Sequence, residues 1–440
     1  MDTLISNATV VTVNEQMDVL FGAYLGITDG KISYIGKEPP QEQPGTIIDG
    51  TGMVAMPGLV NCHTHLATTV LRCMQDDAAR AQALEQQLLV EDRLDRRTAK
   101  ASALLGIAEC LRFGITSVSD LYYYPDAVAE AAAETGIKAN VAMSAYRFID
   151  HSEDFDFDTD EQCKELCRVK DKWHGHDDGR IRIDAGFYAQ YTSNHRLWEA
   201  LADYAAEENL GIQLHLSETQ AEADECMDRT GLGPAELLDC HRVFSVAATC
   251  AGCAGLSQEE KNLLGKRKAT AVTTPIANAK MGLPVMDAAG CVKAGMNVAL
   301  GTGGAVECGN LDLFEVMRFA AMQARTAGGD ATAMPAAAML MMATTCGARA
   351  QGRGEETGML KVGMDADVIL VDFSAPHLMP CHNVMNGLVF SAKGGDVAMT
   401  MVKGKILYQN GQFPTMDLGA AVEELMTYAI PKLNKEEKHG

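Results

Sequence analysis

The sequence has few basic residues for its length. Its 440 residues include 37 Lys and Arg against 59 Asp and Glu, which gives a formal net charge of −22. Nucleic acids and anionic membrane surfaces are bound through clusters of Lys and Arg, so we expect neither as a partner. The chain also lacks the roughly 20 consecutive apolar residues that a membrane-spanning helix needs. We therefore expect a globular protein whose partner is a small-molecule substrate.

The sequence also lacks the features of a secreted protein. Its first residues, MDTLISNATVVTVNEQ, contain no basic stretch followed by an apolar core. The 13 cysteines are scattered along the chain and odd in number. In a chain without a secretory signal, this pattern is typical of reduced, mostly buried thiols rather than of a disulfide framework. We predict a cytoplasmic protein.

Short apolar runs alternate with alanine-rich helical stretches through the middle of the chain. This alternation is typical of βα units that build a parallel sheet or barrel. Eight units are what a (β/α)8 TIM barrel requires, and its active site lies at the carboxyl ends of the strands. An acidic segment, 150–178, separates the third and fourth runs. The eight runs are 58–66, 114–122, 137–146, 181–191, 211–218, 244–253, 268–277 and 295–304.

Strand-like segments also occur at both ends of the chain, where Asp29-Gly30 is typical of a hairpin turn. We therefore predict an α/β protein in which a small β-sandwich domain, built from both chain termini, flanks the barrel. The predicted bounds are 1–55 and 355–420 for the sandwich, 56–354 for the barrel, and 421–440 for a C-terminal tail helix.

Three histidines lie at the ends of barrel runs. His63 and His65, in NCHTHL, are two residues apart on a strand, so their side chains point to the same face. His215, in IQLHLSE, ends the fifth run. Strand ends of one barrel meet at one face, so the three imidazoles are predicted to hold one divalent metal. Zinc is the first expectation, with iron or manganese as alternatives.

Several motifs together resemble the amidohydrolase superfamily. They are MPGLVNCHTHL, GIQLHLSET, NVALGTGG followed by NLDLF, GARAQG and KVGMDADVILVDF. The similarity runs nearly end to end. It is strongest to the subgroup of S-adenosylhomocysteine/methylthioadenosine deaminases, guanine deaminase and triazine chlorohydrolases. The resemblance implies a distorted (β/α)8 barrel with a β-sandwich from both termini, one divalent metal, and a homodimer or larger homo-oligomer.

The resemblance also implies roles for individual residues. His63, His65 and His215 match the family's metal ligands. Glu218 matches the Glu of an H-x-x-E motif that carries a proton to the leaving nitrogen. Glu91 matches a Glu that holds ribose hydroxyls in the adenosine-type deaminases, although the Trp that accompanies it there is missing from AARAQALEQQ.

Three motifs depart from the family pattern. In AGCAGLS, 251–257, Gly252 and Gly255 stand where the sixth-strand motif has histidines, and no histidine occurs between 241 and 377. In GTGG, Gly303 stands where the eighth-strand motif has an Asp that binds the metal and takes a proton from the attacking water. In GFYAQYT, Tyr188 stands where a substrate-contacting His is expected. These exchanges predict a wider pocket with an atypical metal site.

The missing Asp leaves the identity of the proton acceptor open. Glu218 is the first candidate and Glu307, on the last βα loop, is the second. Cys250 and Cys253 form a C-x-x-C pair that offers thiolate ligands, although buried apolar packing is the ordinary role of such cysteines.

Three functions are consistent with these residues. The first is a metal-dependent hydrolase of the amidohydrolase type that cleaves a C–N bond of an aminated heterocycle such as a purine, pterin or triazine. The second is a catalytically degenerate barrel that binds a small molecule. The third is non-hydrolytic chemistry with Tyr188 as acid or base.

Overall fold

The structure is a computed structural model that describes residues 1–74, 76–77, 87, 89–146 and 155–434. Among these residues, no helix combines the length and apolar character needed to cross a bilayer. The 13 cysteines all lie within the described part of the chain, and each is a free thiol.

Within the described residues, sixteen strands form two separate sheets of eight strands each. In chain order they are β1 Thr3–Val11, β2 Val19–Thr28, β3 Lys31–Gly36, β4 Thr46–Asp49, β5 Met53–Pro57, β6 Leu59–Thr64, β7 Ile115–Tyr122, β8 Lys138–Met143, β9 Ile181–Gly186, β10 Ile212–Leu216, β11 Ala248–Gly252, β12 Thr270–Thr273, β13 Asn297–Leu300, β14 Val368–Asp372, β15 Val397–Val402 and β16 Lys405–Gln409.

The strands β6 to β13 form the barrel. They pair in chain order, every pair is parallel, and each strand lies inside one of the eight predicted runs. The two edge strands meet where Thr64 bridges Gly303. At this seam the N–H of Gly303 donates to the carbonyl of His63 at 3.0 Å. The Asn61 side chain accepts from the backbone N–H of Thr302 at 3.1 Å and donates to its hydroxyl at 2.8 Å.

The second sheet joins both ends of the chain. Its order is β16-β15-β14-β5-β1-β2-β3, with β4 beside β1. The strands β2 and β3 form a hairpin at Asp29 and Gly30, which both have positive φ, as the predicted turn requires. The predicted fold class, a TIM barrel with a small β domain from both termini, is confirmed. The predicted domain bounds stay predictions.

Helices cover the outside of the barrel and connect successive strands. They are α1 Arg96–Arg112, α2 Pro125–Thr135, α3 Glu161–Trp173, α4 His195–Glu207, α5 Gln220–Thr230, α6 Pro234–Cys240, α7 Gln258–Arg267, α8 Pro275–Lys280, α9 Ala288–Lys293, α10 Ala305–Cys308, α11 Leu313–Gly328, α12 Ala336–Met342, α13 Thr345–Ala350, α14 Val384–Phe390, α15 Leu418–Glu424 and α16 Ile430–Leu433.

Local sequence signals set where these helices begin and end. Asp95 and Asn194 cap α1 and α4 through hydrogen bonds to backbone N–H groups of the first turn. Ser257 and Glu260 form a capping box at the start of α7. Gly136 ends α2 with φ of 92°, a conformation that favours glycine.

Two predicted segments are only partly described. The acidic segment 150–178 contains α3, whereas 150–154 lies outside the described residues. In the predicted tail helix, 421–440, the described part contains the end of α15, a π-helical turn at Leu425–Ala429, and α16. Residues 435–440 lie outside the described residues.

A buried ion-pair cluster joins the barrel to the terminal sheet. Lys138, the first residue of β8, has a side chain that is 1% exposed. Its Nζ lies 2.7 Å from Asp365 Oδ2 and 2.6 Å from Asp367 Oδ2, in the segment that leads into β14. Lys31, whose side chain is 57% exposed, reaches the other oxygen of Asp365 at 2.9 Å.

We predict that Lys138→Met lowers the free energy of unfolding by about 3 kcal/mol or more, because it leaves the buried carboxylate of Asp367 without its cation and Asp365 with only the exposed Lys31. Lys31→Met is the matched control, and its effect should stay below about 1 kcal/mol because its side chain is largely in water. Urea unfolding of both variants measures the difference. Equal losses of unfolding free energy in the two variants would show that burial does not determine how much each lysine contributes to stability.

Candidate metal centre

Three histidines converge at the carboxyl ends of two barrel strands. His63 is on β6, His65 follows that strand directly, and His215 is on β10. The ring centroids are 4.6 Å apart for His63 and His65, 4.7 Å for His63 and His215, and 5.5 Å for His65 and His215. One ligand atom of each ring lies within 4.8 Å of the other two. The structure therefore brings together the three histidines predicted from the sequence.

Backbone carbonyls orient two of these rings. Nδ1 of His65 lies 2.8 Å from the carbonyl oxygen of Leu121, and Nδ1 of His215 lies 3.1 Å from that of Tyr188. A carbonyl oxygen only accepts, so each Nδ1 carries the proton and each Nε2 keeps its lone pair. This arrangement of a second hydrogen bond behind the ring is typical of metal-binding histidines.

The three rings are suited to a divalent cation by their charge as well as by their geometry. Burial, together with the neighbouring imidazoles, holds the pKa of His63 well below its usual range. Burial and the adjacent His65 lower the pKa of His215 to about 3. These two rings stay neutral at physiological pH, and the neutral imidazole is the form that binds metal. The residues present therefore fit a divalent metal.

A buried carboxylate from the second barrel strand holds the end of β6 in place. Asp120 Oδ2 accepts a hydrogen bond from the backbone N–H of Leu66 at 2.6 Å and from the hydroxyl of Thr64 at 3.0 Å. Thr64 and Leu66 flank His65 in the chain. Burial raises the pKa of Asp120 to about 6. Sequence reasoning missed this residue, although an Asp inside a fully buried strand is an unusual feature that signals a role.

A second buried carboxylate holds the loop that carries Glu218. Glu222, in the first turn of α5, accepts the backbone N–H of Ser217 at 3.1 Å and that of Glu218 at 2.8 Å. Burial, with the charge of Glu218 nearby, raises the pKa of Glu222 to about 7. Sequence reasoning also missed Glu222, because its role depends on a helix start that folds back onto the preceding loop.

The glycines that replace the sixth-strand histidines allow this loop to approach β11 closely. A Cβ on Gly252 would lie 2.8 Å from Cγ of Glu218, and a Cβ on Gly255 would lie 2.6 Å from the carbonyl oxygen of Thr219. The N–H of Gly255 donates to the carbonyl of Ser217 at 2.7 Å. The prediction of a wider pocket is wrong at this point, because the Glu218 loop fills the space.

The glycine that replaces the eighth-strand Asp lies in a different environment. Gly303 forms the barrel seam with the strand of His63 and has φ of 71°, a left-handed conformation. A Cβ placed there would have one neighbour within 4 Å, the Cβ of Ala277 at 3.7 Å. That distance is an ordinary van der Waals contact, so room for a side chain remains at the end of β13.

Tyr188 contacts the histidine group, and Glu91 pairs with Gln87. The ring of Tyr188 packs on His215 with a centroid distance of 4.5 Å. Burial and the proximity of Glu218 raise the pKa of Tyr188 well above its usual value, so its hydroxyl stays protonated. Glu91 accepts from Nε2 of Gln87 at 2.9 Å, and burial raises its pKa. A base role for Tyr188, one alternative from the sequence, is not favoured by this environment.

The cysteine pair does not join the histidines. Cys250 and Cys253 are buried, and burial raises the pKa of the Cys250 thiol to about 12 and that of Cys253 well above its usual value. Neither sulfur belongs to the group of potential ligand atoms formed by the three histidines. This placement agrees with buried apolar packing, the ordinary role that the sequence analysis gave for such cysteines.

The fold and this geometry define a class: a (β/α)8 barrel with a three-histidine group at the carboxyl ends of its strands. The amidohydrolase family profile matches residues 54–407. A 5'-deoxyadenosine deaminase of Methanosarcina acetivorans is 36% identical over 97% of this chain and 98% of its own length. A 5-methylthioadenosine/S-adenosylhomocysteine deaminase of Thermoanaerobacter pseudethanolicus is 33% identical over 99% of each chain.

Solved structures agree with this assignment. The crystal structure of an adenosine deaminase from Xanthomonas campestris with bound zinc is 28% identical to this chain, with a TM-score of 0.91 and coverage of 98% of both chains. The chain belongs to the amidohydrolase family. The predicted family and the predicted class of enzyme, an amidohydrolase-type hydrolase of non-peptide C–N bonds, are confirmed.

The position of Glu222 predicts how stability depends on pH. Its pKa is about 7 in the folded protein and 4.5 in the unfolded chain, so between these values only the unfolded state releases the proton. The free energy of unfolding therefore falls as the pH rises from about 4.5 to about 7. Glu222→Gln should make this decrease smaller by the share that Glu222 contributes, which urea unfolding of the metal-free protein at several pH values measures. Asp224→Asn, on the exposed side of α5, is the control, and a slope unchanged in Glu222→Gln would contradict the assignment.

Proposed function

We propose that the chain is a metal-dependent deaminase that hydrolyses the exocyclic C–N bond of an aminated heterocycle, with adenosine-like nucleosides as the substrate class. The observation that carries this proposal is the convergence of three histidines at the strand ends of an amidohydrolase barrel. The substrate class is supported by two relatives, at 36% and 33% identity, that are named as deaminases of adenine nucleosides.

His63, His65 and His215 would hold the metal, and zinc is favoured because imidazole nitrogen suits it and the similar adenosine deaminase contains it. When bound, a divalent metal supplies Lewis-acid activation of the attacking water. The protein's part is to orient His65 and His215 through the carbonyls of Leu121 and Tyr188, and to favour the neutral form of His63 and His215 by burial.

Glu218 is the proposed proton carrier to the leaving nitrogen. In the overall reaction, water adds to the carbon that bears the amino group, the C–N bond breaks, and ammonia leaves. The amino nitrogen must gain a proton before it departs, and a carboxyl group next to the reacting carbon can deliver it. Glu218 directly follows the strand of His215, and Glu222 fixes its backbone.

Tyr188 and Glu91 are the proposed substrate-binding residues. Tyr188 keeps its proton and so acts as a hydrogen-bond donor beside His215. Glu91 is a carboxylate acceptor, which suits the hydroxyl groups of a ribose. Its charge influences Tyr122, which in turn packs near His65 with a ring centroid distance of 5.9 Å. Glu91 therefore stands next to the histidine group, where a nucleoside's sugar would be held.

The metal site proposed here is atypical because position 303 offers no carboxylate. A catalytically degenerate barrel that only binds a small molecule is the competing function, and Gly303 is the observation that favours it. The homodimer or larger oligomer implied by the family resemblance stays a prediction.

We predict that the purified protein, exchanged into zinc-containing buffer and desalted, retains close to one metal ion per chain by elemental analysis. His63→Ala combined with His65→Ala should abolish retention, since one imidazole is too few ligands for a stable site. Cys250→Ala is the control and should retain metal. Absence of metal in the wild type would contradict the metal-dependent function and favour the binding function.

We also predict that the protein releases ammonia from 5'-deoxyadenosine or 5-methylthioadenosine. Glu218→Gln should lower kcat by at least about 100-fold, because Gln cannot carry the proton. Glu225→Gln, an exposed change seven residues further along the chain, should leave kcat unchanged. Full activity in Glu218→Gln would remove this residue from the mechanism. If the wild type binds the nucleoside but releases no ammonia from it, the degenerate barrel is favoured.

A further inference from the structure

A second carboxylate lies beside the histidine group, at the end of the strand that lacks the expected Asp. Glu307 is in α10, the single helical turn that follows Gly303 and Gly304. Its backbone N–H donates to the carbonyl of Gly304 at 3.1 Å, so the turn folds back on the strand end. Glu307 therefore comes from the same barrel strand as the acid that the family pattern places at position 303.

The carboxylate of Glu307 lies against Gly304. The position that a Cβ on Gly304 would take lies 2.3 Å from Oε2 of Glu307, 2.6 Å from Oγ1 of Thr68 and 3.2 Å from Cβ of His65. Oε2 therefore lies in the space beside Gly304, which Thr68 and His65 also border. Any side chain at 304 would displace it, so glycine at this position is what admits the carboxylate.

One oxygen of this carboxylate is held and the other is not. Oε1 accepts a hydrogen bond from Nε2 of Gln87 at 3.3 Å. Oε2 is buried and has no hydrogen-bond partner among the described residues. The same Gln87 nitrogen lies 2.9 Å from Glu91, so the two carboxylates share one amide donor. A buried carboxylate oxygen without a partner is costly unless a cation or a donor meets it.

The chemistry of the three histidines indicates what that partner would be. Imidazole binds a cation as a neutral ligand, so three histidines bring no negative charge to a divalent cation, which would keep its full charge in a buried site. A carboxylate near the site lowers that cost. Glu91 already accepts from Gln87, whereas Oε2 of Glu307 has no hydrogen-bond partner among the described residues.

We propose that Glu307 is the anionic group of the metal centre and replaces the carboxylate that Gly303 does not provide. This assignment rests on the proposed function, because it presumes that the three histidines hold a divalent cation. Glu307 acts as a positioning and charge-balancing residue for that cation. Removal of such a carboxylate lowers metal affinity by about 10–100-fold.

The test is cobalt binding, which is independent of turnover. Co²⁺ is titrated into the metal-free full-length chain, and its Kd is determined by competition with a chelator and from the visible absorption of the bound ion. Glu307→Gln should weaken binding by about 10–100-fold and change the absorption spectrum. Glu315→Gln is the matched control, because Glu315 is also partly buried after the same strand but its carboxylate is bound to Asn310 Nδ2 at 2.8 Å. It should bind as the wild type does.

A rescue variant separates charge from local packing. Gly303→Asp in the Glu307→Gln background should restore affinity to within a few-fold of the wild type. A Cβ at 303 has room, and Asp tolerates the left-handed conformation better than most residues do. Melting temperatures of all variants establish that they fold.

The outcomes distinguish this assignment from the proposed function. Wild-type affinity in Glu307→Gln, or an equal loss in Glu315→Gln, overturns the role of Glu307 and leaves the three-histidine site standing. Failure of the wild type to bind Co²⁺ any better than His63→Ala combined with His65→Ala overturns both. Loss in Glu307→Gln that Gly303→Asp does not restore overturns the claim that Glu307 replaces the missing carboxylate.

Discussion

The closure of the barrel at its β6–β13 seam is the constraint on which the site depends. The bond from the N–H of Gly303 to the carbonyl of His63 and the paired contacts of Asn61 with Thr302 align the first and last strands. Because His63 itself is in the seam, the register that closes the barrel also fixes the position of its imidazole. A slip of one residue would turn that side chain to the opposite face.

Two buried carboxylates connect this rigid barrel to the loops that carry the site residues. Asp120 accepts from the backbone N–H of Leu66 and the hydroxyl of Thr64, on either side of His65, and Glu222 accepts from the backbone N–H of Glu218. Both act on N–H groups that follow a strand end, where the barrel ladder no longer satisfies them. Such groups must find a partner when they are buried. The same hydrogen bonds therefore satisfy the backbone and set the direction of the next side chain.

The sequence predicted the parts of this site that depend on periodicity and missed the parts that depend on loop conformation. The spacing of His63 and His65 and the position of His215 in a run followed from the geometry of strands, and Asp29-Gly30 from turn chemistry. Glu222 could not be placed, since its partners are backbone groups of a loop. The expected wider pocket at Gly252 was wrong because a glycine admits neighbouring backbone as readily as it admits solvent.

The glycines at the sixth and eighth strands therefore have opposite structural consequences. At Gly252 the neighbouring loop has moved in, and any side chain there would collide with Glu218. At Gly303 the space is open among the described residues, and the carboxylate of Glu307 lies against the neighbouring Gly304. A barrel that had only lost its acid would have no need for a buried carboxylate at this strand end. The buried Oε2 of Glu307, which has no hydrogen-bond partner among the described residues, is costly in such a barrel and favourable in one that holds a cation, which is why this carboxylate favours a working metal centre over a retired one.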